Sequence, residues 1–177
     1  MKFYSFLFVV FIGLICVQIT DTSSVASTSK KEIQGAALIS SCVFKNSKHI
    51  VNVSKLGDKV YVSISTETKK SIVNDSIIVQ PNSRCPAEGF EYLSCREHSF
   101  IIIQQLCDSW MFIKEVFVFK NSDSAPDDFF LYLYKQETVD RRHPEKDPVV
   151  DKYTQDHFGK VNFQNVSRDF IGNLINR

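Results

Sequence analysis

Ile50-Val51-Asn52-Val53-Ser54-Lys55-Leu56-Gly57-Asp58-Lys59-Val60-Tyr61-Val62-Ser63-Ile64-Ser65 alternates apolar and polar residues on both sides of a Gly-Asp pair. A period of two is the signature of a strand with one buried face. Val60, Val62 and Ile64 share one face, and Tyr61, Ser63 and Ser65 share the other. Gly57-Asp58 tolerates the positive backbone angles that a tight hairpin turn demands. The stretch therefore predicts a β-hairpin, and its neighbours must supply the rest of a sheet.

They do so on both sides. Ala36 to Phe44 reads as a strand carrying Cys42. Ser71 to Gln80 contains Ile77-Ile78-Val79 and stops at Pro81, as a strand buried on both faces would. Phe90 to Ser94 is a short local strand, and Phe100 to Leu106 a β-branched run. Trp110 to Phe119 alternates, with Lys114 on one side and Glu115 on the other. Asn121 to Asp128 reads as a loop. Phe129 to Tyr134 reads as the next strand, with Leu131 and Leu133 opposing Tyr132 and Tyr134. The expected fold is mainly β: an antiparallel sandwich or barrel of seven to eight strands.

Beyond residue 135 the pattern changes. Asp140 to Asp156 is strongly polar, contains Pro144 and Pro148, and reads as a long loop. Val166 to Asn176 fits a short terminal helix, capped by Ser167, with Phe170, Ile171, Leu174 and Ile175 as its apolar face. The expected organisation is a β domain over 35–135, then a polar loop and C-terminal segment over 136–177.

The N-terminus reads as an address. Lys2 precedes an apolar stretch from Phe3 to Val17, and small residues follow. That order is the secretory signal pattern, here spanning 1–20, with cleavage after Thr20 or as late as Ala26. A Ser/Thr-rich leader over 21–34 follows. Phe100 to Phe119, the next richest apolar stretch, holds Asp108, Lys114 and Glu115, which exclude it as a membrane span. The expected location is extracellular, with no stable membrane span once the signal is removed.

Cysteines agree with export. Cys16 lies in the signal, leaving Cys42, Cys85, Cys95 and Cys107 for two disulfides. Three connectivities are open. Cys85 to Cys95 closes the shortest loop, around Pro86 and Gly89, and would leave Cys42 to Cys107. The four thiols lack the paired C-x-x-C spacing of zinc sites. Asn52-Val53-Ser54, Asn74-Asp75-Ser76 and Asn165-Val166-Ser167 are N-glycosylation triplets, and a sugar on Asn52 would require that strand face to meet solvent.

The remaining composition narrows the function class. The 177 residues are 44% hydrophobic and 23% charged, with six Gly and five Pro, which excludes collagen, coiled coil and wholesale disorder. A net charge of +1 provides no basic excess for a nucleic acid. No nucleophile elbow, metalloprotease helix, P-loop or dinucleotide-binding glycine motif occurs. His98, beside Arg96 and Glu97, reads as part of a polar turn. Asp127-Asp128 falls short of a calcium ligand set. No catalytic residue, metal site or cofactor is expected.

Aromatics concentrate between Phe100 and Tyr134. Most fit a core, but Trp110, Phe112, Tyr132 and Tyr134 are candidate ligand-binding residues. The leading expectation is a secreted, disulfide-bonded glycoprotein that binds a protein or glycan partner without catalysis. The alternative is an extracellular carrier of a small apolar ligand. In strand count, disulfides and terminal helix the chain resembles a lipocalin in outline, which implies a calyx-shaped barrel. It departs from that family in lacking the G-x-W motif near the first strand.

Overall fold

The computed structural model describes residues 35–45, 48–66, 71–81, 84–122 and 125–176. The signal, its cleavage region and the leader read over 1–34 lie outside the described residues. The hairpin forms as its alternation requires. Strand β2 (Ile50–Leu56) turns at Gly57, whose φ is +59°, into β3 (Lys59–Ser65). Val51, Val53, Val60, Val62 and Ile64 are buried, while Asn52, Ser54, Tyr61 and Ser63 lie on the outer face. Ser65, assigned outward by the alternation, is buried at the strand's end.

Strand β1 (Ala37–Val43) pairs antiparallel with β2, and β4 (Ile72–Asn74) with β3, giving a four-stranded sheet in the order β1-β2-β3-β4. The continuous strand expected over 71–80 stops after three residues. Asn74 ends it: its Oδ1 accepts from the backbone N–H groups of Ser76 (2.9 Å) and Ile77 (3.1 Å). This side-chain turn displaces the ladder. Ile77 and Ile78 still reach the core, but from a bend.

The second sheet has five strands in sequence order: β5 (Gly89–Cys95), β6 (Ser99–Asp108), β7 (Met111–Ser122), β8 (Ala125–Asp140) and β9 (Val149–Thr154). All neighbours are antiparallel. Two expectations are corrected here. The sheet continues past residue 135 along β8, and the stretch read as a loop over 140–156 contains β9. Pro144 and Pro148 do bound a turn, but Val149-Val150 resumes the sheet as its edge. Strands of both sheets and the terminal helix share one core.

Between the sheets lies a packed aromatic interior. Phe100 stacks on Phe119 with centroids 4.9 Å apart, and Phe129 and Phe163 meet Phe100 edge-on. The two sheets are open, so the architecture is a sandwich and not the closed barrel that the sequence left as an alternative. The space beside Phe129 and Phe163 amounts to about 20 Å³, room for a water molecule and no more.

Two seams close the sandwich. At one, the Cys42–Cys95 disulfide joins the inner sides of β1 and β5. A second disulfide, Cys85–Cys107, ties the segment ahead of β5 to β6. Of the three connectivities open in the sequence, the fold takes one that leaves the shortest loop, Cys85 to Cys95, unclosed. β5 places its seven residues over about 20 Å, so Cys95 at its end is out of reach of Cys85 before its start.

At the other seam, the chain after β9 makes a short helix α1 (Gln155–Phe158), a 3-10 turn (Phe163–Asn165) and helix α2 (Arg168–Ile175). Leu131 donates its N–H to the Val161 carbonyl, attaching this segment to β8. Ser167 caps α2 as expected, accepting from the Phe170 N–H at 3.1 Å. Ile171 and Leu174 are buried, while Ile175 is left exposed.

The assignment of faces is tested by two neighbouring substitutions. Val62→Asp places an unpaired charge in the core and should lower stability by about 4 kcal/mol or more, enough to abolish recovery of folded protein. Ser63→Asp should change it by about 0.5 kcal/mol or less. Chemical denaturation of both variants checks this; equal losses would overturn the assignment.

Candidate functional site

Polar groups inside a β-sandwich are costly unless paired, and perturbed buried groups are where chemistry concentrates. Gln104 on β6, Glu115 on β7 and Tyr134 on β8 project side by side from the inner face, and all three are fully buried. Gln104 Nε2 donates to Glu115 Oε2 at 2.7 Å and to the Ile77 carbonyl at 3.0 Å. Its Oε1 accepts from the Val79 N–H at 2.8 Å. Tyr134 donates its hydroxyl to Glu115 Oε1 at 2.6 Å. Arg168, at the start of α2, reaches in to place Nη1 2.5 Å from Glu115 Oε2.

The result is one carboxylate held by an amide, a phenol and a guanidinium. Each carboxylate oxygen already has its donors. Burial, and then the Glu115 charge beside it, push the Tyr134 hydroxyl well above its ordinary pKa of 10.0. Tyr134 is therefore a locked donor. The cluster has structural consequences: Gln104 carries the bend at residues 77–79, and Arg168 fastens α2 to the five-stranded sheet.

Alternation alone puts Tyr134 on the same face as Tyr132. A β-bulge separates them. Val118 pairs with Leu133 and Phe119 with Leu131, so Tyr132 is the extra residue. The bulge turns Leu131 and Tyr134 inward and leaves Tyr132 45% exposed, with Lys120 Nζ 3.4 Å above its ring.

The other candidates lie outside. Trp110 sits at the tip of the two-residue turn between β6 and β7 and is 59% exposed. Ser109 beside it takes a positive φ of 53°, and its carbonyl accepts from Arg141 Nη2 at 2.7 Å. Phe112 is half-buried on the outer face, opposite Cys107 and Val139. The same face carries Ile101, Ile103, Val116, Val118 and Leu133, which the register places side by side, and Tyr92, which is 52% exposed. The four-stranded sheet and α2 pack against the opposite face.

This outer face was not foreseen as a unit. Its signal was present in the alternation of Ile101, Ile103, Val116 and Val118, but a strand with apolar residues on both sides does not say which side is covered. Charges frame it: Lys114 lies 3.9 Å from Glu91, and Lys135 pairs with Glu137. The Lys135 ammonium, hydrogen-bonded to Glu137, holds that carboxyl below its ordinary value. At the Trp110 end, hydrogen bonds from Arg142 lower the Asp140 pKa to about 2.

Of the glycosylation triplets, Asn52 lies on the outer face of the four-stranded sheet, where its Oδ1 accepts from Ser41 Oγ at 2.7 Å. Asn165 is exposed. Asn74 is 3% exposed, against the expectation that it lies on a solvated face. Among the described residues no three His, Cys, Asp or Glu side chains gather as a metal site would require, and no helix is long and apolar enough to cross a membrane. Comparison with family models, with curated proteins and with solved structures finds no match.

The interior cluster gives a prediction with a defined sign. A phenol whose pKa is raised by folding stabilises the fold fully below the unfolded value of 10.0, and that contribution falls away as pH rises above it. Tyr134→Phe should cost about 1.5–3 kcal/mol near neutral pH, because Glu115 loses a donor. Melts of the two proteins should then converge above pH 10. Glu115→Ala should be more severe, about 3–5 kcal/mol, since it strands Arg168 and Gln104. A constant gap between wild type and Tyr134→Phe from pH 7 to 11 would refute the assignment.

Proposed function

We propose that this protein is a secreted, disulfide-bonded glycoprotein that works by binding an extracellular protein or glycan and catalyses no reaction. The observation that carries this reading is the outer face of the five-stranded sheet. It exposes Tyr92, Tyr132 and Trp110 around half-buried aliphatic residues, while Gln104, Tyr134 and Arg168 in the interior are engaged by Glu115. Large amphipathic rings are the residue types that dominate binding energy at interfaces. Two disulfides fit an oxidising compartment.

The carrier alternative depends on a closed barrel around a ligand cavity of about 300 Å³ or more. The sandwich interior is instead filled by stacked rings. No observation favours the carrier over the binder.

Arrays of extracellular proteins and of glycans, probed with the exported protein, test the proposal. Trp110→Ala and Tyr92→Ala should each weaken the binding found by tenfold or more, with melting temperatures unchanged. Binding unaffected by either variant, or a small apolar molecule retained in native mass spectrometry, would contradict the reading.

A further inference from the structure

Three Asn-x-Ser triplets look alike in the sequence, but the fold uses their amides differently. Asn74 spends all its hydrogen-bonding capacity inside the protein. Its Nδ2 donates one hydrogen to the Phe163 carbonyl at 2.6 Å and the other to the Val166 carbonyl at 2.8 Å. Its Oδ1 accepts from the Ser76 and Ile77 N–H groups. This amide is the clasp of the second seam, joining β4 of one sheet to the segment that Leu131 anchors to the other.

N-glycosylation acts on the same nitrogen. Nδ2 bonds to the anomeric carbon of a lipid-diphosphate-linked oligosaccharide. The anomeric C–O bond breaks, the lipid diphosphate leaves with the electron pair, and one amide hydrogen departs as a proton. The product has a single N–H donor where the fold uses two. It also has a sugar where Phe163 and Val166 place a carbonyl and a buried side chain. The modified amide and the native seam therefore exclude each other.

The order of synthesis makes this a competition. Phe163 lies 89 residues beyond Asn74. At ~5–20 residues per second, Asn74 waits roughly 4–18 seconds before its partners are made. During that interval it is an acceptor like the other two.

We infer that Asn74 is a conformationally gated glycosylation site. It is unmodified in every natively folded molecule, Asn52 and Asn165 carry the glycans, and a sugar on Asn74 commits that chain to a non-native form. This inference rests on the reading of the protein as an exported glycoprotein.

The test is expression of the full chain in a eukaryotic secretory cell, with site-by-site glycopeptide analysis of the exported and retained fractions. The exported fraction should carry glycans at Asn52 and Asn165 and none at Asn74, with any Asn74 glycan confined to the retained fraction. Ser76→Ala removes the acceptor triplet yet keeps the amide and the Ser76 backbone, so export should equal or exceed wild type. Asn74→Asp removes both donors and should cut export at least tenfold. Asn74 glycan in the exported fraction at the retained level, or full export of Asn74→Asp, overturns the inference. If no chain is exported and no triplet is modified, the secretory reading fails. The refolded bacterial proteins then decide the clasp: Asn74→Asp melting with Ser76→Ala overturns it, and Asn74→Asp melting well below Ser76→Ala upholds it.

Discussion

Two sheets with no hydrogen-bonded ladder between them are held face to face by burial of their inner apolar residues, and here the Cys42–Cys95 bond fixes one pair of edges for that burial. Closing a loop of that length removes about 4 kcal/mol of chain entropy from the unfolded state. That is a large share of a small domain's net stability of 5–15 kcal/mol. With β1 fixed beside β5, the inward residues of both sheets meet, and the Phe100, Phe119, Phe129 and Phe163 rings fill the space between them. The opposite edge closes by polar means, through the Asn74 amide.

The buried Glu115 cluster belongs to the same closure. A carboxylate in an aromatic interior is expensive, and it persists because Gln104, Tyr134 and Arg168 surround it. Gln104 also supplies the hydrogen bonds that the backbone at 77–79 lost when Asn74 ended β4. Arg168 comes from α2, so the C-terminal segment answers both orphaned groups. A chain stopped before residue 160 would leave Asn74 Nδ2 without its two carbonyl acceptors and Glu115 without its guanidinium.

What the sequence disclosed follows the range of the interaction involved. The hairpin at residues 50–65 and the Ser167-capped helix were legible because alternation and capping act over a few residues. The bulge at Tyr132 was not, because an extra residue in β8 is defined only by its pairing with β7, and Tyr132 and Tyr134 part company there. β9 was hidden by the prolines and charges around it, although an edge strand tolerates both. The disulfide pairing stayed open among three connectivities, because the span of β5 that separates Cys85 from Cys95 is set by the folded sheet. The outer-face residues Trp110 and Phe112 were recognisable as aromatics, but which sheet face is covered is a property of the assembled layers.

Which cysteines meet therefore reports how the two sheets are placed. Proteolytic peptide mapping of the purified protein without reduction reads this directly. Peptides linking Cys42 to Cys95 and Cys85 to Cys107 are the predicted result. A peptide linking Cys85 to Cys95 would bring the segment ahead of β5 to the far end of that strand and contradict the sandwich described above.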